Sequence, residues 1–167
     1  CPGDTRTLHR GLPGPPALGI QATALRADVS RDDEVRAMLS EVRASCGRLD
    51  ILVNNAGTTT FVPFADLDAL TEEMWDRVWA VNVKGTFFVS RQAAPLLRAS
   101  GSGHIVNIAS IAGMTGFGSS MAYCASKAAV ITLTQGLAAE LKDAGINVNC
   151  VLPGTLDTPQ NRAAMPD

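Results

Sequence analysis

The sequence is short of the side chains that bind metals, span membranes or grip polyanions. Its two histidines, His9 and His104, have no partner at ligand spacing. Its four cysteines, Cys1, Cys46, Cys124 and Cys150, are scattered and form no C-x-x-C pair. Neither a zinc site nor a disulfide framework is expected, and the thiols read as small apolar packing groups. Charged residues make up only 18% of the 167, with 14 basic against 16 acidic and a net charge of -2. Without a basic excess, nucleic acid is not an expected partner. No apolar run approaches the ~18–20 residues that cross a bilayer, and no basic segment leads into an apolar stretch near residue 1 as a secretory signal would. Aromatics are 5%, and Tyr123 is the one tyrosine. What is abundant is hydrophobic residue, 46%, enough for a sizeable core in one domain. The expectation is a soluble, cytoplasmic globular domain with no metal.

Residues 1–19 hold four of the nine prolines and show no apolar periodicity, so they are expected to be an irregular Pro/Gly-rich leader. From residue 20 to residue 167, short apolar runs alternate with longer helical stretches, the pattern of an α/β fold with a parallel sheet covered by helices. Four strands are expected: Ala22–Ala27, Ile51–Asn54, His104–Ala109 and Asn147–Leu152. The β-branched runs in the last three suit strands buried on both faces. A helix is expected from about Arg31 to Ser45, with Val35, Met38, Leu39 and Val42 on one face. Ser30 and Asp33 would form its capping box and Gly47 its stop. Further helices are expected near Thr71, from about Asn82 to Ala99 with a kink at Pro95, and from about Ser119 to Lys142.

Tyr123-Cys-Ala-Ser-Lys127 falls inside the last helix. A four-residue separation puts both side chains on one helical face, about 6 Å apart along the axis. An ammonium beside a phenol favours the phenolate, which equips tyrosine as a general acid/base. Ser110 ends the strand His104–Ala109, and a hydroxyl there faces the crevice where parallel sheets bind ligands. Asn54, Asn55, Ala56 and Gly57 form a polar turn at the end of a second strand. Asp28 ends the first strand and Pro153-Gly154 follow the fourth, so one rim collects all these groups. Each has a plainer alternative: Asn82 can interrupt a helix, Ser110 can open a turn, and Asp28 can belong to a helix start. Trp75 and Trp79 form a packing stripe, and Ala122, Ala125, Ala128 and Ala129 form a small-residue face that admits another helix.

From about Ile20 to Asp167 the sequence resembles the short-chain dehydrogenase/reductase family, and within it the 3-oxoacyl-carrier-protein reductase-like members. The matching pieces are Asp28-Val29, the NNAG at 54–57, Asn82 in VNV, Ser110, Tyr123-x-x-x-Lys127, and Pro153-Gly154 with Thr155 and Thr158 behind. The resemblance implies a Rossmann-like fold and an oxidoreductase that uses NAD or NADP on a carbonyl or secondary alcohol. It implies a catalytic tetrad of Asn82, Ser110, Tyr123 and Lys127. Tyr123 would move the proton and Ser110 orient the carbonyl. Lys127 would support the phenolate and hold ribose hydroxyls, and Asn82 would anchor a relaying water. Asp28 and Val29 would lie at the adenine, the turn with Asn54, Ala56 and Gly57 beside the cofactor, and Pro153, Gly154 and Thr158 near the carboxamide. A homodimer or homotetramer through the small-residue face is also implied.

The family's opening glycine-rich T-G-x-x-x-G-x-G turn, which holds the pyrophosphate, has no counterpart among Gly3, Gly11, Gly14 and Gly19. The four expected strands correspond to family strands 3 to 6, with 1, 2 and 7 absent. The sequence is therefore expected to be part of a longer protein. The alternative is a catalytically incompetent fragment or pseudoenzyme acting through its helical interface. The residue that selects NAD or NADP lies outside it, and the substrate remains open among 3-oxoacyl thioesters, sugars and simple ketones.

Overall fold

The computed structural model describes residues 22–164. The leader expected over residues 1–19 lies outside the described residues. Three strands, β1 (Ile51–Asn54), β2 (Gly103–Ile108) and β3 (Ile146–Val151), form a parallel sheet in the order β1-β2-β3. Leu52, Ile105 and Val148 lie in one register row. The helices α1 (Asp32–Cys46), α3 (Thr86–Ser100) and α5 (Met121–Leu141) bring Val35, Leu39, Val89, Leu97 and Leu141 onto that row and bury it. On the other side of the ladder Ile51, Val53, Asn147, Asn149 and Val151 are exposed. Among the described residues β1 and β3 are therefore buried on one face and not, as expected, on both, with α1, α3 and α5 packed on the buried face.

The fourth expected strand does not form: Ala22–Ala27 belongs to no ladder. A strand needs a neighbour to accept its backbone donors, and β1 pairs only with β2 among the described residues. The segment is held instead by Val29, which packs against the core. The capping box also fails. Ser30 turns back, donating from its amide and hydroxyl to Asp28 Oδ1 at 2.9 and 2.7 Å. Arg31 becomes the N-cap, and Asp32, Asp33 and Glu34 stabilise the helix start through the dipole. Gly47 closes α1 at φ 71°, as expected.

α2 (Glu72–Trp79) is capped by Thr71, and runs directly into a π-helical turn, Ala80–Gly85, and then α3. The helix expected from Asn82 is thus the second half of one helical run from 72 to 100, with the irregularity at 80–85 and Pro95 inside α3. Two short helices were not expected, α4 (Ala112–Thr115) and α6 (Pro159–Ala164). No described helix is long and apolar enough to cross a membrane.

Beneath the sheet lies a buried polar network. Asn54 Nδ2 donates to Asn107 Oδ1 at 2.8 Å and to Ser90 Oγ at 2.9 Å, and Asn107 Nδ2 donates to Thr134 Oγ1 at 2.9 Å. It ties two strands to α3 and α5 with every member partnered, the condition under which buried polar groups specify an arrangement.

Candidate active site

Lys127 is the centre of the candidate site. It is 6% exposed, and its Nζ donates to Ile108 O, at the end of β2, at 2.7 Å. The same Nζ lies 5.7 Å from the centroid of the Tyr123 ring. The four-residue spacing therefore does place the two on one face of α5. Ser120 caps this helix by accepting from the Tyr123 amide at 3.2 Å, so the tyrosine sits in the first turn. An ammonium has three donors, and one of them is used by Ile108.

Burial pushes the Lys127 ammonium below the ordinary lysine value of about 10.5. Between that lowered value and the ordinary one the folded chain binds fewer protons than the unfolded chain, so this group makes stability rise with pH across the window. Lys127→Met cannot titrate. Its melting temperature relative to wild type is expected to fall as pH is raised through the window that ends near 10.5. A difference independent of pH, followed by circular dichroism, would contradict the assignment.

Asn82 reaches the same place from the π-helical turn. It is 1% exposed. Its Oδ1 accepts from the Thr58 amide at 2.8 Å, and its Nδ2 donates to Thr58 O at 3.0 Å and to Ser126 Oγ at 2.9 Å. Gly57 completes the corner. A Cβ placed on it would lie 3.5 Å from Asn82 Oδ1 and 3.7 Å from Lys127 Nζ. The missing side chain leaves open the space beside those two groups.

Ser110 follows β2 and is half-buried; its Oγ accepts from the Ala112 amide at 3.2 Å, opening α4. Pro153 O accepts from the Ile111 amide at 3.1 Å, joining the loop after β3 to the loop after β2. Gly154 has nothing within 4 Å of a Cβ placed on it. Thr158 Oγ1 accepts from the Asn161 amide at 3.2 Å at the start of α6. At the other end of the rim Asp28 is exposed, and the hydrogen bonds from Ser30 hold its carboxyl below the usual range. Among the described residues no hydrogen bond joins Asp28 or Thr158 to the Tyr123–Lys127 group. Asn54 points under the sheet into the polar network, leaving Asn55, Ala56 and Gly57 as the exposed part of the turn.

Sequence reasoning missed two contributors. Gly113 of α4 lies where a Cβ would stand 2.7 Å from the Lys127 carbonyl carbon and the Ala128 amide nitrogen. The small-residue face assigned to oligomer contact is thus partly covered within the chain. The second is Ser126, whose one visible signal was its place inside the Y-x-x-x-K segment.

The short chain dehydrogenase family profile matches residues 8–167. The chain is 42% identical over 139 residues to an uncharacterized oxidoreductase of Thermotoga maritima, covering 83% of this chain and 53% of that one. It is 42% identical over 138 residues to the 3-oxoacyl-[acyl-carrier-protein] reductase FabG of Staphylococcus aureus, covering 83% and 55%. The crystal structure of a gluconate 5-dehydrogenase from Burkholderia cenocepacia, in complex with NADP and tartrate, superposes with a TM-score of 0.77 at 38% identity, covering 84% and 54%. The chain spans a little over half the length of these relatives. With the profile match spanning nearly all its length, the chain belongs to the short chain dehydrogenase family.

Proposed function

We propose that residues 20–167 are the proton-transfer part of a cytoplasmic NAD- or NADP-dependent oxidoreductase that interconverts a carbonyl and a secondary alcohol. The observation that carries this reading is the buried Lys127 ammonium, set beside the Tyr123 ring and bordered by Asn82 and the space at Gly57. The donor set fits the nicotinamide-ribose end of such a cofactor: a cation with unused donors suits ribose hydroxyls, and Gly57 and Gly154 offer no side chain in the way.

In this reading Tyr123 gives a proton from its Oη to the substrate oxygen during reduction and takes it back during oxidation. Lys127 holds its ammonium beside the Tyr123 ring and offers its unused donors to the ribose hydroxyls. The Ser110 hydroxyl donates to the substrate oxygen and holds it toward Tyr123. Asn82 anchors a relaying water through what remains of its hydrogen-bonding capacity. Its carboxamide already makes three bonds, so one lone pair of Oδ1 is what its side chain can offer. Asp28 accepts from the adenine amino group, with Val29 beside it, while Asn54, Ala56 and Gly57 shape the cofactor wall. Pro153, Gly154 and Thr158 hold the carboxamide. The nicotinamide, when bound, supplies or accepts the hydride. The protein assembles as a homodimer or homotetramer in this proposal, and its partners are small molecules.

Titrating the chain with NADH and NADPH, with nicotinamide fluorescence and circular dichroism recorded on one sample, tests the reading. Saturable binding by a folded chain is the expected result. A folded chain that binds neither would overturn it for this chain and favour the incompetent alternative.

A further inference from the structure

Ser126 sits between the two residues that define the site, yet no chemistry above uses it. It is fully buried. Its Oγ donates to Tyr123 O at 2.7 Å and accepts from Asn82 Nδ2 at 2.9 Å. The first bond spends the hydroxyl proton on its own helix, which leaves the oxygen lone pairs facing Asn82. Asn82 in turn clasps the Thr58 backbone from both sides. One hydroxyl therefore joins three separate pieces of chain: α5, the π-helical turn, and the loop after β1.

The turn carries this constraint further. A π-helical turn is rare, and occurs mostly as a single-turn bulge inside an α-helix, frequently at a functional site. The Thr86 hydroxyl donates to Asn82 O at 2.8 Å within the helical run. At the far end of the turn Gly85 lies against Val29, where a Cβ would stand 2.8 Å from Val29 Cγ2. Asn82 is thus held across the chain on one side by Ser126 and Thr58, while Gly85 lies against the segment that carries Asp28.

We propose that Ser126 is a positioning residue: its hydroxyl fixes the Asn82 carboxamide, and through it Thr58 and Gly57, beside the Lys127 ammonium. This rests on the functional reading above only for what the corner is used for. The clasp is a property of this chain's own residues and can be measured without cofactor or turnover.

The test is backbone amide hydrogen exchange by NMR on the 167-residue chain, comparing wild type, Ser126→Ala and Thr134→Val. Thr134 is the control: it is a buried hydroxyl on the same helix, donates to Val130 O at 2.7 Å and accepts from Asn107, and does not touch Asn82. Ser126→Ala is expected to speed exchange of the Thr58 amide at least tenfold relative to amides of β2, and Thr134→Val to leave that ratio unchanged. Equal protection of Thr58 in all three chains would overturn the proposal. So would a loss of the same size in both variants, since Ser126 would then act only on overall stability. Wild type alone gives a second measurement if Ser126→Ala does not fold. A nuclear Overhauser contact between the Asn82 side-chain amide protons and the Ser126 β-protons is expected, and its absence would also overturn the clasp. A chain that binds no nicotinamide yet passes these measurements defeats the functional reading and leaves the clasp standing.

Discussion

Tyr123→Phe is expected to lower turnover by a factor of about 10²–10⁴, the range contributed by a positioned general acid/base, while leaving folding intact. The separation of the two effects follows from the geometry. The Tyr123 amide is held by the Ser120 cap, its carbonyl accepts from Ser126, and its ring lies near Lys127. Phenylalanine preserves all of these. The hydroxyl makes no hydrogen bond to any described side chain, so its removal orphans no buried partner. Steady-state kinetics with a ketone substrate, beside thermal melts of both proteins, checks this. Retention of more than about a tenth of the activity would remove Tyr123 from the acid/base role.

Gly113→Ala is expected to produce the largest loss of stability of any single methyl addition in α4. The added carbon would meet the Ala128 amide and the Lys127 carbonyl group at 2.7–3.0 Å, and these are backbone atoms of α5 with no rotamer to escape into. Overpacking of this kind costs about 1–3 kcal/mol, a fall in melting temperature of roughly 3–10 °C for a chain of this size. Because α4 would push on the turn of α5 that carries Lys127, nicotinamide affinity should fall with it. Gly136→Ala, further along α5, is the matched comparison with the opposite sign. Nothing lies within 4 Å of a Cβ there, so removing a helical glycine should stabilise by about 0.5–1 kcal/mol. Equal melting temperatures for the two variants would show that α4 can drift away from α5 without cost.

Much of the geometry of the candidate site was legible because its signals are local. Tyr123 and Lys127 share a helical face by spacing alone, and the ends of β2 and β3 were placed within one residue by their apolar runs. What was not legible depends on neighbours distant in the chain. Ala22–Ala27 has a strand's composition, but a ladder is a property of two segments, and no described segment pairs with it. Asn54 read as a rim residue, yet it lies under the sheet. Only the register with Asn107, together with Ser90 and Thr134 on two helices, reveals why an asparagine is tolerated there. The cap of α1 is Arg31 and not Ser30, because Asp28 takes the Ser30 hydroxyl. The π-helical turn left no trace in apolar periodicity, and the bond that ties its Asn82 to the rest of the chain reaches a serine 44 positions away.

That turn also determines which changes in chain length the helical run from Glu72 to Ser100 can absorb. A π-helical turn is a single-residue insertion accommodated without breaking the helix. Removing one residue within 80–85 would return the run to regular winding and keep Val89, Ala93 and Leu97 in phase with the sheet they cover. Removing one anywhere in α3 before Leu97 would rotate the residues beyond it by about 100° and carry Leu97 off the core. The helix thus contains one position that folding can spare and the site cannot. A one-residue deletion there would yield a well-packed chain whose Asn82 no longer meets Thr58 and Ser126.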